Sequence, residues 1–313
     1  MSVIIFGSIN MDLVVRSPRL PEPGETLIGH SFETVPGGKG ANQAVAVARL
    51  GIQTALIGRI GNDGFGQTLL QGLESDGITC DRVLHDASTH SGVAMIAVDD
   101  ASENNIIVIP GANGNVGEAD VDRLRAALPQ AQVLLLQLEI PLPAVLAAAQ
   151  AAKDAGVTVI LDPAPARSDL PDSLYPLIDI LTPNQVEARQ LAGFPVNDIE
   201  TAHRAAIVLR QRGVKTVIVK LGKLGALCVT ESETFQIPIF PVRAVDTVAA
   251  GDAFNGGLAA GLAADLPLSQ AATQAAAVAA LSVTKPGAQP SLPTRAELEA
   301  FLAQRETPST PAD

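Results

Sequence analysis

The sequence predicts a three-layer α/β/α domain with a mostly parallel central sheet and a small β-sheet lid. Three observations support this prediction. A unit repeats in which a helix ends in glycine and a β-branched strand follows at once. The strands are continuously apolar, which is typical of a parallel sheet covered by helices on both faces. Two further β-rich blocks do not fit a helix–strand alternation, so we expect them to form a separate small sheet.

The chain begins with a short apolar strand over residues 3–7, followed by Asn10 and Asp12. In an extended chain these two side chains lie on one face, because they are two residues apart. Two polar groups on one face can hold adjacent sugar hydroxyls. A solvated turn is an equally good interpretation of this pair from the residues alone.

The two β-rich blocks cover residues 12–36 and 91–110. The first contains β-type segments at 13–15, 26–28 and 32–35, and the second alternates around Asp99 and Asp100. We expect both to be inserted in a single α/β domain over 1–305 as a lid that excludes water when it closes. Residues 306–313 have no apolar pattern, and we expect a flexible tail there.

A glycine-rich stretch, Gly37-Gly38-Lys39-Gly40, precedes the next predicted helix at 41–50. It is not a phosphate-binding P-loop, because that motif needs a Gly separated by four residues from its Gly-Lys pair, and Ser or Thr after the Lys. Here Glu33 and Gly40 hold those positions. The stretch favours a tight turn against which a small polyol can lie.

The repeated unit supplies the strands of the main sheet. Helices are expected to end near Gly51, Gly156 and Gly213, since glycine suits the left-handed conformation that terminates a helix. The strands that follow lie at 54–57, 157–160 and 214–219, and further buried strands are predicted at 133–138 and 179–182. Ligands of such sheets bind beyond the carboxyl ends of the strands.

That rule selects residues at strand ends. Glu139 follows strand 133–138, although it also suits the start of a helix. Asn184 and Glu187 follow strand 179–182 with capping-box spacing, so a structural role is at least as good an interpretation. A loop follows strand 214–219, and a hairpin turn explains its glycines equally well; its residues are Lys220, Leu221, Gly222, Lys223, Leu224 and Gly225.

The most informative stretch runs from Asp246 to Phe254. Ala249, Ala250 and Gly251 have almost no side chain, so their amides can approach a ligand at the start of a helix, where anions bind. Asp252 then places a base beside an anion hole. The alternative is a capping Asp, which is common at helix starts, and the stretch alone does not separate the two.

Two motifs resemble those of the ribokinase (PfkB-type) family of carbohydrate kinases. They are Pro-Gly-Gly-Lys-Gly-Ala-Asn-Gln-Ala at 36–44 and Asp-Thr-Val-Ala-Ala-Gly-Asp-Ala-Phe at 246–254, and the similarity extends from about residue 3 to 291. The resemblance implies that ATP phosphorylates D-ribose at its 5-hydroxyl, with Asp252 as general base. It also implies contacts to the sugar from Asn10, Asp12, Gly38, Lys39, Asn42, Glu139 and Asp252.

The resemblance further implies where the nucleotide and ions bind. ATP and Mg²⁺ are expected at Asn184, Glu187, the 220–225 loop and Gly251. A monovalent cation, usually K⁺, is expected between two loops, at Asp246, Val248, Ser282, Lys285, Gly287 and Ser291. Lys285 would contribute its carbonyl, because an ammonium group cannot bind a cation. Ala276 departs from the family, in which a polar residue often faces the adenine. Related ribokinases commonly dimerise through the lid, so we expect a homodimer.

Composition excludes other classes of protein. A net charge of −12 disfavours nucleic acid and anionic membranes as partners. Two lone cysteines argue against a disulfide framework, and the four histidines have no metal-ligand spacing. The N-terminus lacks a basic region and no apolar run could span a bilayer, so we expect a cytoplasmic protein.

Alternative functions differ in what they require of the sequence. A nucleoside kinase would be expected to stack its base on aromatic side chains, but the chain has no Trp, and Phe32 alone of its aromatic residues lies in the lid blocks. Deoxyribose and fructose stay open as substrates. A non-catalytic sugar-binding protein would not need Asp252, and a dehydrogenase would need a glycine-rich motif after its first strand.

Overall fold

The computed structural model describes residues 2–101 and 103–306. Beyond Glu306, the predicted tail lies outside the described residues. Within them the strands, in chain order, are β1 (Ser2–Phe6), β2 (Asn10–Ser17), β3 (Ser31–Gly37), β4 (Gln53–Ile57), β5 (Arg59–Gly61), β6 (Leu84–Asp86), β7 (Gly92–Asp99), β8 (Asn104–Ile109), β9 (Val133–Leu136), β10 (Thr158–Leu161), β11 (Ile180–Leu181), β12 (Thr216–Lys220), β13 (Ala226–Val229) and β14 (Thr234–Ile237).

The helices alternate with these strands over most of the chain. They are α1 (Lys39–Arg49), α2 (Gly64–Ser75), α3 (Glu118–Ala127), α4 (Leu142–Asp154), α5 (Gln185–Ala192), α6 (Ile199–Gln211), α7 (Ala250–Ala263), α8 (Leu268–Ser282) and α9 (Arg295–Glu306). The helix predicted to begin at Ala41 therefore starts two residues earlier, immediately after Gly38, whose φ of 86° is a conformation that glycine adopts readily.

The main sheet has the strand order β14-β13-β12-β11-β10-β9-β1-β4. From β12 to β4 all neighbouring strands are parallel, whereas β13 and β14 run antiparallel at the other edge. The carboxyl ends of the parallel strands therefore meet at one edge, as the alternation of helices and strands predicts.

Helices cover both faces of this sheet and bury two apolar clusters. Alternate strand residues contribute to each, because successive side chains point to opposite faces. Ile5 and Leu135 pack with α1, α7 and α8, whereas Ile4 and Leu134 pack with α3, α4 and α6. The predicted three-layer arrangement is confirmed.

The second, four-stranded sheet has the order β3-β2-β7-β8 and is built from the two predicted β-rich blocks. We call it the lid sheet. One predicted segment, 26–28, is not a strand. This segment pairs with no neighbouring strand, and Ile28 is 88% exposed. Neither hydrogen bonds to a partner strand nor burial of side chains therefore stabilises a strand at 26–28.

Glycines end the predicted helices as expected. Gly51, Gly156 and Gly213 each have a positive φ, from 72° to 117°, directly before a strand. Both cysteines are buried and free, in agreement with the sequence analysis. In residues 2–101 and 103–306, no helix has the length and apolar character required to cross a membrane.

Helices α1 and α7 approach each other closely enough to exclude a side chain. A Cβ added to Gly256 would lie 2.4 Å from the Cβ of Ala46 and 3.2 Å from the carbonyl oxygen of Gln43. Since α1 carries Lys39, Asn42 and Gln43 while α7 carries Asp252, this contact sets the distance between the two sets of polar side chains.

Replacing Gly256 with Ala is therefore expected to push α1 and α7 apart. Overpacking of this kind lowers the free energy of unfolding by about 1–3 kcal/mol. The matched control is Gly72→Ala in α2, where the added Cβ meets nothing within 4 Å. That change should raise stability by about 0.5–1 kcal/mol, because Ala favours a helix over Gly. Urea denaturation checks both variants, and equal effects would contradict the close contact.

Candidate active site

The predicted site residues gather where the carboxyl edge of the main sheet meets the lid sheet. Asp252 lies in the first turn of α7 and is 4% exposed. Its Oδ2 accepts a hydrogen bond from Asn42 Nδ2 at 2.9 Å, and its Oδ1 accepts one from Gln43 Nε2 at 3.1 Å. Two adjacent residues of α1 therefore fix both oxygens of the carboxylate.

The positively charged side chain of this cluster is Lys39, the first residue of α1. Burial opposes its charge, but Asp252, Asp162, Glu139 and Glu187 surround it and raise its pKa above the usual value. Lys39 therefore stays protonated. A fixed ammonium among carboxylates lowers the electrostatic cost of burying them together.

Burial raises the pKa of Asp252 to about 6, although Lys39 opposes the shift. The effect is stronger at Asp12, where burial and the negative charges of Glu139 and Asp252 raise the pKa to about 7. A carboxylate with a pKa near the working pH is suited to accepting a proton. The alternative of a capping Asp does not hold, because α7 has no side-chain N-cap bond.

Asn10 and Asp12 both lie on β2, at the base of the lid sheet. Asn10 is buried, and its Oδ1 accepts a hydrogen bond from Asn113 Nδ2 at 2.7 Å. Asp12 pairs in register with Ala94 of β7 and Val35 of β3. The interpretation of this pair as a solvated turn does not hold, because the strand runs through it.

The glycine-rich turn brings the backbone of Gly38 against that of β2. A Cβ at Gly38 would lie 2.7 Å from the amide nitrogen of Asn10. Glu139 is linked to the same turn, because its Oε2 accepts hydrogen bonds from the amide of Lys39 at 3.1 Å and from Ser8 Oγ at 2.6 Å. Glu139 thus lies against the glycine-rich turn, beyond the carboxyl end of β9.

The residues predicted to bind the nucleotide lie around the ends of β11 and β12. Asn184 and Glu187 form a capping box at the start of α5, with Glu187 donating its amide to Asn184 Oδ1 at 2.9 Å. Burial raises the pKa of Glu187, and the neighbouring Lys220 opposes this rise. The interpretation of Asn184 and Glu187 as a capping box is correct. The carboxylate of Glu187 also lies at the edge of the sheet where ligands bind.

The loop over 220–225 joins β12 to β13, so it is also the hairpin connection that the alternative interpretation expected. It contains a short 3-10 turn over Gly222–Leu224 and a Gly225 with φ of 82°. Lys220 points back to the site. Its Nζ contacts Asp162 Oδ1 at 3.0 Å and lies 3.4 Å from the position of a Cβ on Gly251.

The start of α7, where the sequence predicts an anion hole, has an unusual backbone conformation. Ala249 precedes the helix with φ of 58°, a left-handed conformation that is uncommon for a residue other than glycine. The amide of Ala250 makes a long bond of 3.3 Å to Thr247 carbonyl, whereas amides in a first helical turn otherwise lack intrahelical acceptors. The ammonium group of Lys220 lies beside Gly251, at the positive end of the helix dipole.

The two loops of the expected cation site are tied together by Asp246. Its two carboxylate oxygens accept one amide each, from Val248 at 3.0 Å and from Gly287 at 2.9 Å. The ammonium group of Lys285 contacts Glu297 at 2.5 Å. The group of Lys285 that could bind a cation is therefore its carbonyl oxygen. Ser282 and Ser291 are buried, and each hydroxyl donates to a backbone carbonyl.

Sequence reasoning missed several residues that complete the site. Gln43 and Gln137 form hydrogen bonds beneath Asp252, and Asn113 orients Asn10 from more than a hundred residues away. Asp162 differs from these residues, because it follows β10 at the ligand edge of the sheet, and the strand-end rule selects it. No local pattern marks Asn113, which lies in a 3-10 turn over Gly111–Asn115.

Known proteins resemble this chain over most of its length. The family model described as "pfkB family carbohydrate kinase" matches residues 1–295. A ribokinase from Haemophilus influenzae is 44% identical over 96% of this chain and 98% of its own. A deoxyribokinase from Salmonella typhi is 37% identical over 98% of this chain and 100% of its own.

Solved structures give the same result. A ribokinase from Thermotoga maritima has a TM-score of 0.88 and 39% identity, over 96% of this chain and 99% of its own. A ribokinase from Arabidopsis thaliana, complexed with ribose and ATP, has a TM-score of 0.89 and 34% identity, over 96% and 98% of the two chains. The chain therefore belongs to the pfkB family of carbohydrate kinases and is a phosphotransferase.

Proposed function

We propose that this protein transfers the γ-phosphoryl group of ATP to the 5-hydroxyl of D-ribose, giving ribose 5-phosphate and ADP. The observation that carries the proposal is the buried Asp252, whose carboxylate is held by α1 beside the electropositive start of α7. The similarity to the Haemophilus influenzae and Arabidopsis thaliana ribokinases supports ribose as the sugar.

Deoxyribose is the second candidate, because the Salmonella typhi deoxyribokinase is 37% identical over nearly the whole chain. The two sugars differ by one hydroxyl. A site built to hydrogen-bond that hydroxyl rejects the sugar that lacks it, because buried polar groups are then left unpaired. Asn10, Asp12 and Glu139 are the polar groups that would supply this discrimination.

In the proposed reaction Asp252 accepts the proton of the sugar hydroxyl as its oxygen attacks the γ-phosphorus. The bond from that phosphorus to the β–γ bridging oxygen breaks, and ADP leaves. Phosphoryl transfer needs little covalent help, so positioning and charge stabilisation dominate. Asn10, Asp12, Gly38, Lys39, Asn42 and Glu139 would hold the sugar in place.

Negative charge on the transferred group would be met by the amides of Ala249, Ala250 and Gly251, with Lys220 nearby. Removing one such donor typically costs a hundred- to a thousandfold in rate. The loop over 220–225 and Asn184 would hold the nucleotide. Glu187 would contact Mg²⁺ through water, because carboxylate and water oxygens suit this ion. Bound Mg²⁺ would neutralise charge on the phosphates.

The two loops joined by Asp246 are where we place the monovalent cation. One carboxylate among backbone carbonyls suits an ion of low charge, and no cluster of three His, Cys, Asp or Glu side chains suited to a metal occurs in residues 2–101 and 103–306. Val248, Ser282, Lys285, Gly287 and Ser291 would contribute oxygens. A bound cation would stabilise the loop before Ala249.

A coupled assay of ADP release tests the proposed function with a panel of pentoses, hexoses and nucleosides. Ribose should give the highest kcat/KM, and a preference for a nucleoside or hexose would refute the substrate. Asp252→Asn should bind ribose but lose on the order of a hundred- to ten-thousandfold in kcat, because the base is removed. A near-normal kcat in this folded variant would show that Asp252 is not the base.

Potassium is expected to activate turnover more than sodium at fixed ionic strength, because the proposed oxygen ligands suit the larger, more easily dehydrated ion. Asp246→Asn should abolish the difference between the two ions. Asp265→Asn is the control, since Asp265 is exposed and has φ of 59°, which Asn tolerates. Equal rates of turnover in potassium and sodium salts would refute the proposed cation site.

We also propose a homodimer through the lid sheet. On one face of this sheet Met95 and Ile107 are in register on neighbouring strands, and Phe32, Met95 and Ile107 are each more than half exposed. An apolar patch of this kind marks an interface. Sedimentation at micromolar concentration should give a dimer, and Met95→Lys a monomer, whereas Val186→Lys on α5 should leave the dimer intact. A wild-type monomer would refute the proposal.

A cytoplasmic location stays a prediction.

A further inference from the structure

A chain of buried hydrogen bonds lies beneath the proposed base and is not explained by sugar or nucleotide contacts. Its centre is Gln43, which is 0% exposed. The Nε2 of Gln43 donates to Asp252 Oδ1 and to Asp162 Oδ2, at 3.1 Å in both cases. One amide nitrogen therefore lies between two buried carboxylates that would otherwise face each other.

The orientation of this amide is fixed from its other end. Gln43 Oε1 accepts a hydrogen bond from Gln137 Nε2 at 2.6 Å, just beyond the carboxyl end of β9. Turning the amide over would place its oxygen against two carboxylates and its nitrogen against a donor. Because the reversed amide would set buried groups of like charge against each other, the arrangement favours one orientation of Gln43.

The chain continues from Asp162 to the phosphate side of the site. Asp162 Oδ1 accepts from Lys220 Nζ at 3.0 Å, and Lys220 lies beside Gly251 at the start of α7. Gln43 thus connects the carboxylate that would take the proton with the lysine that would face the phosphate. Asp252 also faces Lys39 and Asn42 on α1, Asp12 on β2 and Asp162 after β10.

We propose that Gln43 is a positioning residue for phosphoryl transfer, which holds Asp252 in the orientation that accepts the sugar proton. The proposal rests on the proposed function, since it gives Asp252 its role as base. Gln43 acts through the carboxylate, while Asn42 beside it is available to the sugar. Misplacing a reacting group by about 1 Å can cost a hundredfold in rate.

The test replaces Gln43 with Met, which keeps the length of the side chain and removes both amide groups. We expect kcat to fall about ten- to a hundredfold while KM for ribose changes little. The acid limb of the pH–rate profile should move to higher pH, because the variant loses a donor to the ionised form of Asp252. Gln132→Met is the control: Gln132 Oε1 is buried without a partner, outside the site before β9.

A double-mutant cycle separates positioning from damage to the fold. In the Asp252→Asn background, Gln43→Met should leave the residual rate unchanged, because there is no base left to orient. If Gln43→Met lowered kcat by the same factor in the wild-type and Asp252→Asn proteins, the proposal would be overturned. The assignment of Asp252 as the base would still stand. If Asp252→Asn alone keeps its turnover, the proposed function fails instead.

A second variant covers the case in which Gln43→Met does not fold. Gln137→Met removes the partner of Gln43 Oε1 and leaves Gln43 in place. We expect a smaller loss in kcat, again with the acid limb displaced to higher pH and no loss in the Asp252→Asn background. An unchanged kcat and an unchanged pH profile would contradict the proposal.

Discussion

The site depends on holding one carboxylate out of water between two helices. Asp252 enters the interior because α7 begins against the edge of the sheet, and its charge is tolerated because Asn42 and Gln43 donate to it while Lys39 lies nearby. Burying a charge without such partners would cost several kcal/mol. The close packing of Gly256 against Ala46 keeps those partners within hydrogen-bond distance.

The same constraint explains why the surroundings are so polar. Asp12, Glu139 and Asp252 lie close to Lys39. Burial, together with the charges of Glu139 and Asp252, raises the pKa of Asp12, and burial, together with the charge of Asp162, raises the pKa of Asp252. An arrangement of this kind is unfavourable for folding and useful for proton transfer, because the groups titrate near the working pH. The overall negative charge of the chain cannot attract a phosphate, so local donors on α7 must do so.

Much of the fold followed from local patterns in the sequence. Apolar strands that follow glycine-terminated helices predicted the main sheet, and the two irregular β-rich blocks predicted the lid sheet. The segment 26–28 was wrongly assigned as a strand, because β-branched residues favour a strand only where a partner and a buried face exist. The N-terminus of α1 was placed two residues late, as the glycines before it concealed the start of the helix.

The site residues were predicted unevenly, and the reason is physical. Asp252, Asn42 and Lys39 belong to contiguous motifs with recognisable small-residue turns. Gln43 lies in one of those motifs, yet its role depends on Gln137 and Asp162, which only the parallel order of β9, β10 and β1 brings beneath α1. Asn113 acts across the base of the lid, and contacts between such distant segments have no sequence period to reveal them.

The pH dependence of kcat/KM for ribose, measured at saturating Mg-ATP, tests the central claim most directly. Proton transfer needs the ionised carboxylate, and kcat/KM for ribose reports the pKa values of the enzyme before the sugar binds, which are about 6 for Asp252 and about 7 for Asp12. We expect the rate to fall as the pH drops through 7 to 6, with an acid limb that belongs to the coupled pair. A rate that stays constant down to pH 5 would contradict the account, because the carboxylates would then have their ordinary acidity.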